Sequence, residues 1–214
     1  MKVIVIGGTG ATGKELVKKL LADKNFSEVV VLVRRHFFPP QPKLKEIVVD
    51  FENMEGYFEF IEGDVAVSCL GTTRKDAGNK ANQWHIDHDI PLKFAQIAYR
   101  NEVKNFVLLS SMNADSSSSI FYSRMKGVLE DDIKKIPFKS VMIFRPGLLI
   151  RPGSDRFAEK AAVRFFSFIN QLGIGKGSAP LHVKDLAEAM QQAILQNLKG
   201  IQLIPLNKIR ELIR

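Results

Sequence analysis

Tyr122 and Lys126 are the two residues of this chain whose types and spacing point most directly to chemistry. They stand four positions apart in a segment with helical character, so both side chains would lie on one face of the helix. A tyrosine hydroxyl ordinarily has a pKa of about 10, and a neighbouring ammonium group favours its ionised form. A tyrosine in that setting can exchange a proton with a carbonyl compound or an alcohol.

Two serines precede this pair along the chain. The run Asn105 to Leu109 predicts a strand, and Ser110-Ser111 follows it directly. A serine hydroxyl at that strand end would hold the substrate oxygen in place. Because the spacing Tyr-x-x-x-Lys occurs by chance in many helices, the pair becomes specific only through its position after this strand, in a chain that begins with a nucleotide-binding pattern.

The nucleotide-binding pattern occupies Lys2 to Leu21, which predicts a strand, a glycine turn and a helix. Val3 to Ile6 form the continuous apolar run of a strand buried on both faces. Gly7, Gly10 and Gly13 follow at intervals of three, a relative of the G-x-G-x-x-G fingerprint. Such a turn brings backbone amides and the positive end of a helix close to a pyrophosphate. The alternative is a tight turn that binds nothing.

The ends of the next two predicted strands bear on the choice of cofactor. Val29 to Val33 end in Arg34-Arg35. Dinucleotide folds that prefer NAD carry an acidic residue near this strand end, whereas arginine suits the 2′-phosphate of NADP. The arginines therefore favour NADP, and the alternative is a solvated basic strand end. After Ile47 to Val49, Asp50-Phe51 would face the adenine with a carboxylate and a ring, or Asp50 would simply cap the next helix.

A fourth predicted strand, Val65 to Leu70, ends in small residues. Gly71-Thr72-Thr73 would let the chain pass over the ribose and nicotinamide of a cofactor. The polar residues 74–83 predict a mobile loop, and a helix follows from Trp84 to about Arg100. Every candidate ligand up to this point falls at the C-terminal end of a strand, which is where open α/β sheets bind their ligands.

The start of that helix also carries candidate metal ligands. His85, His88 and Asp89 could share one helix face and so hold a metal ion. Because no other ligand stands at a compatible spacing, the polar first turn of a helix is the preferred interpretation. We expect no bound metal.

Composition and charge limit the classes of function. The 214 residues, of which 45% are hydrophobic and 25% charged, are ordinary for one soluble α/β domain. The net charge of +8 is spread along the chain without a nucleic-acid motif, which favours an anionic cofactor over a nucleic acid. Cys69 is the single cysteine, so an internal disulfide and a cysteine metal cluster are excluded.

The N-terminus and the hydropathy pattern suggest a location. Met1 to Val3 lead directly into the first strand, without a cationic leader. No apolar run is long enough to cross a bilayer. We therefore expect no membrane association and a cytoplasmic location.

The motifs occur in a fixed order along the chain. After the glycine turn come L-G-T-T-R at Leu70 to Arg74, L-L-S-S at Leu108 to Ser111, F-Y-S-R-M-K-G at Phe121 to Gly127 and F-R-P-G at Phe144 to Gly147. This series resembles the short-chain dehydrogenase/reductase superfamily, in its atypical or extended branch, over essentially the whole chain. The strings look most like the HIV Tat-interacting protein, oxidoreductase-like family and its microbial relatives.

The resemblance implies an α/β fold with a doubly wound parallel sheet, the NAD(P)-binding Rossmann fold. Residues 1–214 would form a single domain, with a small C-terminal substrate-binding cap drawn mainly from residues 147–182. It also implies bound NADP(H) and a Ser-Tyr-Lys catalytic group. Tyr122 would be the general acid and base, and Lys126 would lower its pKa and hold the nicotinamide ribose. Ser111 is the expected serine and Ser110 the alternative, since adjacent strand residues face opposite sides.

The residues expected to contact the cofactor lie at the strand ends and on the catalytic helix. They are Gly7, Thr9, Gly10, Ala11, Thr12, Gly13, Arg34, Arg35, Asp50, Phe51, Leu70, Gly71, Thr72, Thr73, Tyr122, Lys126 and Pro146.

These features predict an NADP-dependent oxidoreductase that moves a hydride between nicotinamide and a small carbonyl or alcohol substrate. The short stretch after Pro146 leaves a small cap, which weakens the alternative of a sugar-nucleotide epimerase or dehydratase. A dinucleotide-binding regulatory protein with little or no turnover is a further alternative. Helices of this fold often pair across two-fold interfaces, so a homodimer is compatible with the sequence.

Overall fold

The computed structural model describes residues 1–150 and 180–214. Its strands are β1 (Lys2–Ile6), β2 (Glu28–Val33), β3 (Leu44–Val48), β4 (Val65–Ser68), β5 (Asn105–Leu109), β6 (Ser140–Arg145), β7 (Leu149–Ile150), β8 (Leu181–His182) and β9 (Gly200–Pro205). Its helices are α1 (Ala11–Ala22), α2 (Arg74–Ala77), α3 (Lys80–Trp84), α4 (Ile90–Arg100), α5 (Phe121–Lys134), α6 (Val183–Gln196) and α7 (Leu206–Glu211). A 3₁₀ helix spans Phe51–Phe60, and a π-helical segment spans His85–Asp89 between α3 and α4. Most of the predicted cap, residues 147–182, lies outside the described residues.

The central sheet has seven strands in the order β3-β2-β1-β4-β5-β6-β9. Each neighbouring pair in it is parallel. The chain runs from β1 outward to β2 and β3, then crosses back to place β4 on the other side of β1. This reversal creates a switch point at the C-terminal ends of β1 and β4, where open α/β sheets bind ligands. The topology confirms the predicted doubly wound parallel sheet.

The sheet is covered by helices on both faces. Val3 and Val5 of β1 point into one layer, where they pack with Leu16 of α1 and with α6. Ile4 and Ile6 point into the opposite layer, which contains α4 and α5. All four of these β1 side chains are fully buried. Burial on both faces explains why the strand has a continuous apolar sequence rather than an alternating one.

Residues 74–83 do not form the mobile loop predicted from their polarity, and that prediction is wrong. They contribute α2 and most of α3. Thr73 Oγ1 accepts a hydrogen bond from the Asp76 N–H, and Asn79 Oδ1 accepts one from the Asn82 N–H. Polar residues that favour loops also cap helices, so the same residue types support either structure.

The beginning of α5 packs closely against the serine-rich turn that precedes it. A Cβ atom added at Gly127 would lie 2.1 Å from the backbone nitrogen of Ser116 and 2.2 Å from the carbonyl carbon of Asp115. The Asp115 N–H also donates to the carbonyl of Ser123. Glycine at position 127 therefore lets the turn lie against the helix.

We expect Gly127→Ala to lower the free energy of unfolding by about 1–3 kcal/mol, although alanine is the better helix former, because the added methyl group meets backbone atoms. Urea unfolding followed by circular dichroism measures this change. Gly56→Ala is the matched control, since the nearest atom to its added Cβ is the side-chain nitrogen of Asn53, at 3.1 Å. An unchanged stability of Gly127→Ala would contradict the close packing of turn and helix.

Candidate active site

Two adjoining cavities open at the C-terminal edge of the sheet. The first has a volume of about 610 Å³ and is lined by the start of α1, the loop after β4, the end of β5 and the start of α5. The second has a volume of about 970 Å³ and is lined by the ends of β2 and β3, the 3₁₀ helix and the π-helical segment. Leu70, Gly71, Thr72 and Asp76 border both cavities. The two cavities therefore form one groove across the switch point.

The glycine turn lies beside the first cavity. Gly7 has a φ of +72°, and a Cβ there would lie 2.4 Å from the backbone nitrogen of Leu70. A Cβ at Gly13 would lie 2.2 Å from the carbonyl oxygen of Gly7. The first turn of α1 follows Gly10 with no side-chain cap and no acidic residue. Its amides and the positive end of the helix dipole thus lie at a cavity wall, an arrangement that suits an anion such as a pyrophosphate.

Most of the predicted cofactor residues border the groove. The first cavity is lined by Gly10, Ala11, Thr12, Leu70, Gly71, Thr72, Thr73, Tyr122 and Lys126, and the second by Arg34, Asp50, Phe51, Leu70, Gly71 and Thr72. Gly7, Thr9, Gly13, Arg35 and Pro146 line neither cavity. Gly7 and Gly13 instead allow the close backbone contacts within and beside the glycine turn.

Asp50 caps the 3₁₀ helix and also borders the groove, so the two roles that the sequence left open do not exclude one another. Its Oδ1 accepts a hydrogen bond of 3.0 Å from the Glu52 N–H, which caps the 3₁₀ helix. It also lines the second cavity, together with Phe51 and Arg34. Capping and a position on the groove wall are therefore compatible in this structure.

Tyr122 and Lys126 lie on one face of α5 and line the first cavity. Tyr122 is 40% exposed, whereas Lys126 is only 2% exposed. The Nζ atom of Lys126 lies 3.6 Å from Oδ2 of Asp87. Burial lowers the pKa of Lys126, and the charges of Asp87 and Glu130 oppose that change. The charge of this lysine thus depends on the carboxylates around it.

Asp87 is held in place by the π-helical segment and by the loop after β4. Its side chain is fully buried. Oδ1 accepts a hydrogen bond of 2.6 Å from the Thr72 N–H, while Oδ2 faces Lys126. Burial raises the pKa of Asp87, and the charge of Lys126 opposes that change. One buried carboxylate therefore connects the loop that borders both cavities to α5.

Ser110 and Ser111 are placed differently at the end of β5. Ser110 is buried and lines the first cavity. Ser111, which the sequence analysis favoured, lines neither cavity. The hydroxyl of Ser110 donates a hydrogen bond to Oε1 of Glu130. The structure therefore brings Ser110, rather than Ser111, into one cavity with Tyr122 and Lys126.

Asp87 and Glu130 are not among the candidate site residues predicted from the sequence. Both are acids on the buried face of a helical segment, where the amphipathic pattern otherwise places apolar side chains. An acidic residue at a core-facing position of a helix could have marked both residues in the sequence. Such a group must find a charged or hydrogen-bonding partner inside the protein. Lys80 and Gln83 also line the first cavity, and both come from the segment predicted as a loop.

Other groups near the groove have structural partners or little reactivity. Burial raises the pKa of the Cys69 thiol to about 12, so it is protonated at neutral pH. His85 Nε2 lies 2.9 Å from Glu52, and His88 lies between Asp89 and Asp132. Within residues 1–150 and 180–214, no cluster of three acidic, histidine or cysteine side chains is arranged to hold a metal ion. In the same residues no helix has the length and apolarity needed to cross a membrane.

The sheet resembles those of several solved structures. MoeE5, in complex with UDP-glucuronic acid and NAD, superimposes with a TM-score of 0.73 and 16% identity, over 96% of this chain and 76% of that chain. The oxidoreductase ylbE from Lactococcus lactis superimposes with a TM-score of 0.71 and 18% identity, over 100% of this chain and 95% of that chain. At these identities the likeness shows the NAD(P)-binding Rossmann fold. Together with the sequence relatives described next, this fold identifies the chain as an atypical short-chain dehydrogenase/reductase.

Sequence comparison narrows this class to a family. The HIM1 family model matches residues 32–175. Protein HTATIP2 of Rattus norvegicus is 38% identical over 169 residues, which are 77% of this chain and 69% of that protein. FMP52 of Meyerozyma guilliermondii is 32% identical over 206 residues, 94% of this chain and 89% of that protein. The chain belongs to the HIM1 family.

The relatives overturn the expected location. The fmp52 protein of Emericella nidulans, 34% identical over 172 residues, and FMP52 of Meyerozyma guilliermondii are both named as mitochondrial proteins. The cytoplasmic location expected from the sequence is therefore wrong. That expectation relied on the direct entry of Met1 to Val3 into β1 and on the lack of a long apolar run, two features that carry little information about location.

We expect Asp87→Asn to lower the free energy of unfolding by about 3–5 kcal/mol at neutral pH, because it leaves the buried ammonium of Lys126 without its counter-charge. The pKa of Lys126 should fall further below its usual value. The unfolded chain then binds more protons than the folded chain, so stability rises with pH. Urea unfolding at several pH values should show the deficit of the variant shrinking as the pH rises from neutral towards the ordinary lysine pKa of 10.5.

Asp89→Asn is the control for this experiment, because Asp89 is an exposed acid of the same π-helical segment. Its loss should change stability by no more than about 1 kcal/mol. A deficit of Asp87→Asn that stays constant across this pH range would show that Lys126 does not depend on Asp87.

Proposed function

We propose that this protein is an NADP-dependent oxidoreductase that transfers a hydride between nicotinamide and a small carbonyl or alcohol substrate. The observation that carries the proposal is that Ser110, Tyr122 and Lys126 line one cavity with the first turn of α1. A turn suited to a pyrophosphate and a pair suited to proton exchange therefore share one space. The presence of NAD in the MoeE5 structure supports a dinucleotide as the ligand of this fold.

The groove offers suitable groups for each part of such a cofactor. The uncapped start of α1 suits the pyrophosphate, and Asp50 and Phe51 suit the adenine. Lys126 and Tyr122 would contact the ribose next to the nicotinamide. When bound, the nicotinamide supplies or accepts the hydride.

Tyr122 would move the proton in this reaction. During reduction its hydroxyl gives a proton to the carbonyl oxygen, and the phenolate that remains regains a proton from water. The ammonium of Lys126 stabilises the phenolate electrostatically. Burial lowers the pKa of Lys126, and the charge of Asp87, 3.6 Å away, opposes this change and so favours the ammonium form. Oxidation of an alcohol would use the same groups in reverse.

Arg34 supports the preference for NADP. It stands at the end of β2, is exposed and lines the second cavity. A guanidinium group can bind a phosphate through two parallel hydrogen bonds. The 2′-phosphate distinguishes NADP from NAD, so this arginine would discriminate between them.

The wall near Tyr122 supports a substrate with an apolar body. Leu109, Ile120, Phe121 and Leu149 line the first cavity together with the tyrosine. Ile120 is 65% exposed, which is high for a large apolar side chain. Apolar walls with a few polar groups are typical of small-molecule sites, so aromatic ketones are suitable first probes.

We expect Arg34→Ala to weaken NADPH binding by about 10- to 100-fold and NADH binding by less than about threefold, because a hydrogen bond between charged groups contributes about 1.5–3 kcal/mol. Isothermal titration calorimetry with both cofactors measures this. Arg100→Ala is the control, since Arg100 is an exposed arginine that pairs with Glu55 away from the groove. Equal losses for NADPH and NADH would argue against a 2′-phosphate contact.

We expect Tyr122→Phe to lower the kcat of ketone reduction by about 10²–10⁴-fold, because the proton donor is lost, with NADPH binding unchanged within about threefold. NADPH oxidation in the presence of acetophenone measures the rate. Tyr99→Phe is the control, because Tyr99 packs edge-on against Phe138 outside the groove. Full turnover by Tyr122→Phe would refute this role. Tight NADPH binding by a wild-type protein that turns over no carbonyl compound would instead favour a dinucleotide-binding regulatory protein.

A further inference from the structure

Glu130 extends the face of α5 that carries Tyr122 and Lys126. The three residues follow one another at intervals of four, and the side chain of Glu130 is fully buried. Its carboxylate contacts the ends of β5 and β6. A carboxylate at such a depth is tolerated only when it is paired and hydrogen-bonded.

Arg145 is the charged partner of Glu130. Its Nε donates to Oε1 at 2.9 Å, and its Nη2 donates to Oε2 at 2.5 Å. This two-point pairing is a strong form of ion pair, and the hydrogen bond to Glu130 raises the pKa of Arg145. Both oxygens of Glu130 thus accept hydrogen bonds from the guanidinium group, and a carboxylate in such a pair only accepts.

Ser110 is the hydroxyl partner of Glu130, whose other carboxylate oxygen, Oε2, also lies 3.8 Å from Nζ of Lys134. Its Oγ lies 2.5 Å from Oε1 of Glu130, so the serine hydroxyl is the donor. A serine hydroxyl has one proton and two acceptor lone pairs. Because the proton is used inside the protein, Ser110 offers acceptor capacity to the cavity that it lines. In this arrangement it cannot donate to a substrate carbonyl.

We propose that Ser110, oriented by Glu130, accepts a hydrogen bond from a hydroxyl group next to the reacting carbon, so that the substrates are hydroxy-carbonyl compounds or the corresponding diols. This inference rests on the proposed oxidoreductase function and names its substrate class. Tyr122 serves the reacting oxygen, and Ser110 recognises the neighbouring hydroxyl. Glu130 is a positioning residue that acts through Ser110.

A matched pair of ketones tests the inference. 2-Hydroxyacetophenone and acetophenone differ by one hydroxyl group beside the carbonyl carbon. The measured quantity is the kcat/KM for the hydroxy ketone divided by the kcat/KM for acetophenone, both with NADPH. In Ser110→Ala this ratio reflects only the intrinsic reactivities of the two ketones. We expect the wild-type ratio to exceed that of Ser110→Ala by about tenfold, the effect of one hydrogen bond, with the loss confined to the hydroxy ketone.

Glu130→Gln tests the orientation of the serine. The amide oxygen of the new side chain would accept from Arg145, and its NH₂ group would donate to Ser110. The serine proton is then available to a plain carbonyl, so the preference for the hydroxy ketone should fall at least to the Ser110→Ala value. Ser123→Ala and Asp131→Asn are controls, a buried serine and a partly exposed acid of α5 outside both cavities, and should keep the wild-type ratio.

Two results would overturn the inference in different ways. If Ser110→Ala lowers kcat/KM equally for both ketones, the serine donates to the reacting carbonyl, and the inference fails while the oxidoreductase function stands. If the wild-type protein reduces neither ketone, the proposed function fails and the inference fails with it. Calorimetric NADPH binding, measured for every variant, should stay within about threefold of wild type, because Ser110 and Glu130 act on the substrate side.

Discussion

Burying the ammonium group of Lys126 requires a counter-charge. Asp87 supplies it, and this ion pair connects the main elements that line the groove. An isolated charge in a protein interior costs several kcal/mol, so the lysine and the carboxylate depend on one another. Asp87 also accepts a hydrogen bond from the Thr72 N–H. This bond connects the ion pair to the loop after β4, which borders both cavities. The π-helical segment brings Asp87 to this position, and such segments are frequent at functional sites. The geometry of the cofactor groove and the charge of the lysine are therefore linked.

The buried face of α5 continues this arrangement along its length. Lys126, Glu130 and Lys134 alternate in charge at intervals of four, and each has an oppositely charged partner. The partners of Lys126 and Glu130, Asp87 and Arg145, come from different elements of the fold. The helix is thus held from two sides by charge pairs as well as by apolar packing. The helix that carries Tyr122, the proposed proton donor, is therefore anchored before any ligand binds, a form of preorganisation that suits proton transfer.

The sequence predicted those parts of the fold and site that depend on neighbouring residues. The apolar run of β1, the glycine turn and the four-residue spacing of Tyr122 and Lys126 are local patterns with local structural consequences.

The partners Asp87 and Glu130 could not be assigned, because each meets its partner only after the sheet has brought distant segments together. Only one of Ser110 and Ser111 faces the cavity after β5 ends. The register of the sheet determines which of the two it is, and the local sequence does not show that register. Residues 74–83 were misassigned because polar caps and polar loops share a composition.

The strand order also has a consequence for how the protein is made. Synthesis delivers β1 first, then β2 and β3 on one side of it, and then β4, β5, β6 and β9 successively on the other. Each new strand can join an edge that already exists, so the nascent chain never has to insert a strand between two that are already paired. Domains fold as they emerge from the ribosome, and insertion into a finished sheet would require breaking a ladder of hydrogen bonds. A growing chain can therefore build the groove at β1 and β4 early, with β9 joining the far edge last among the strands of this sheet.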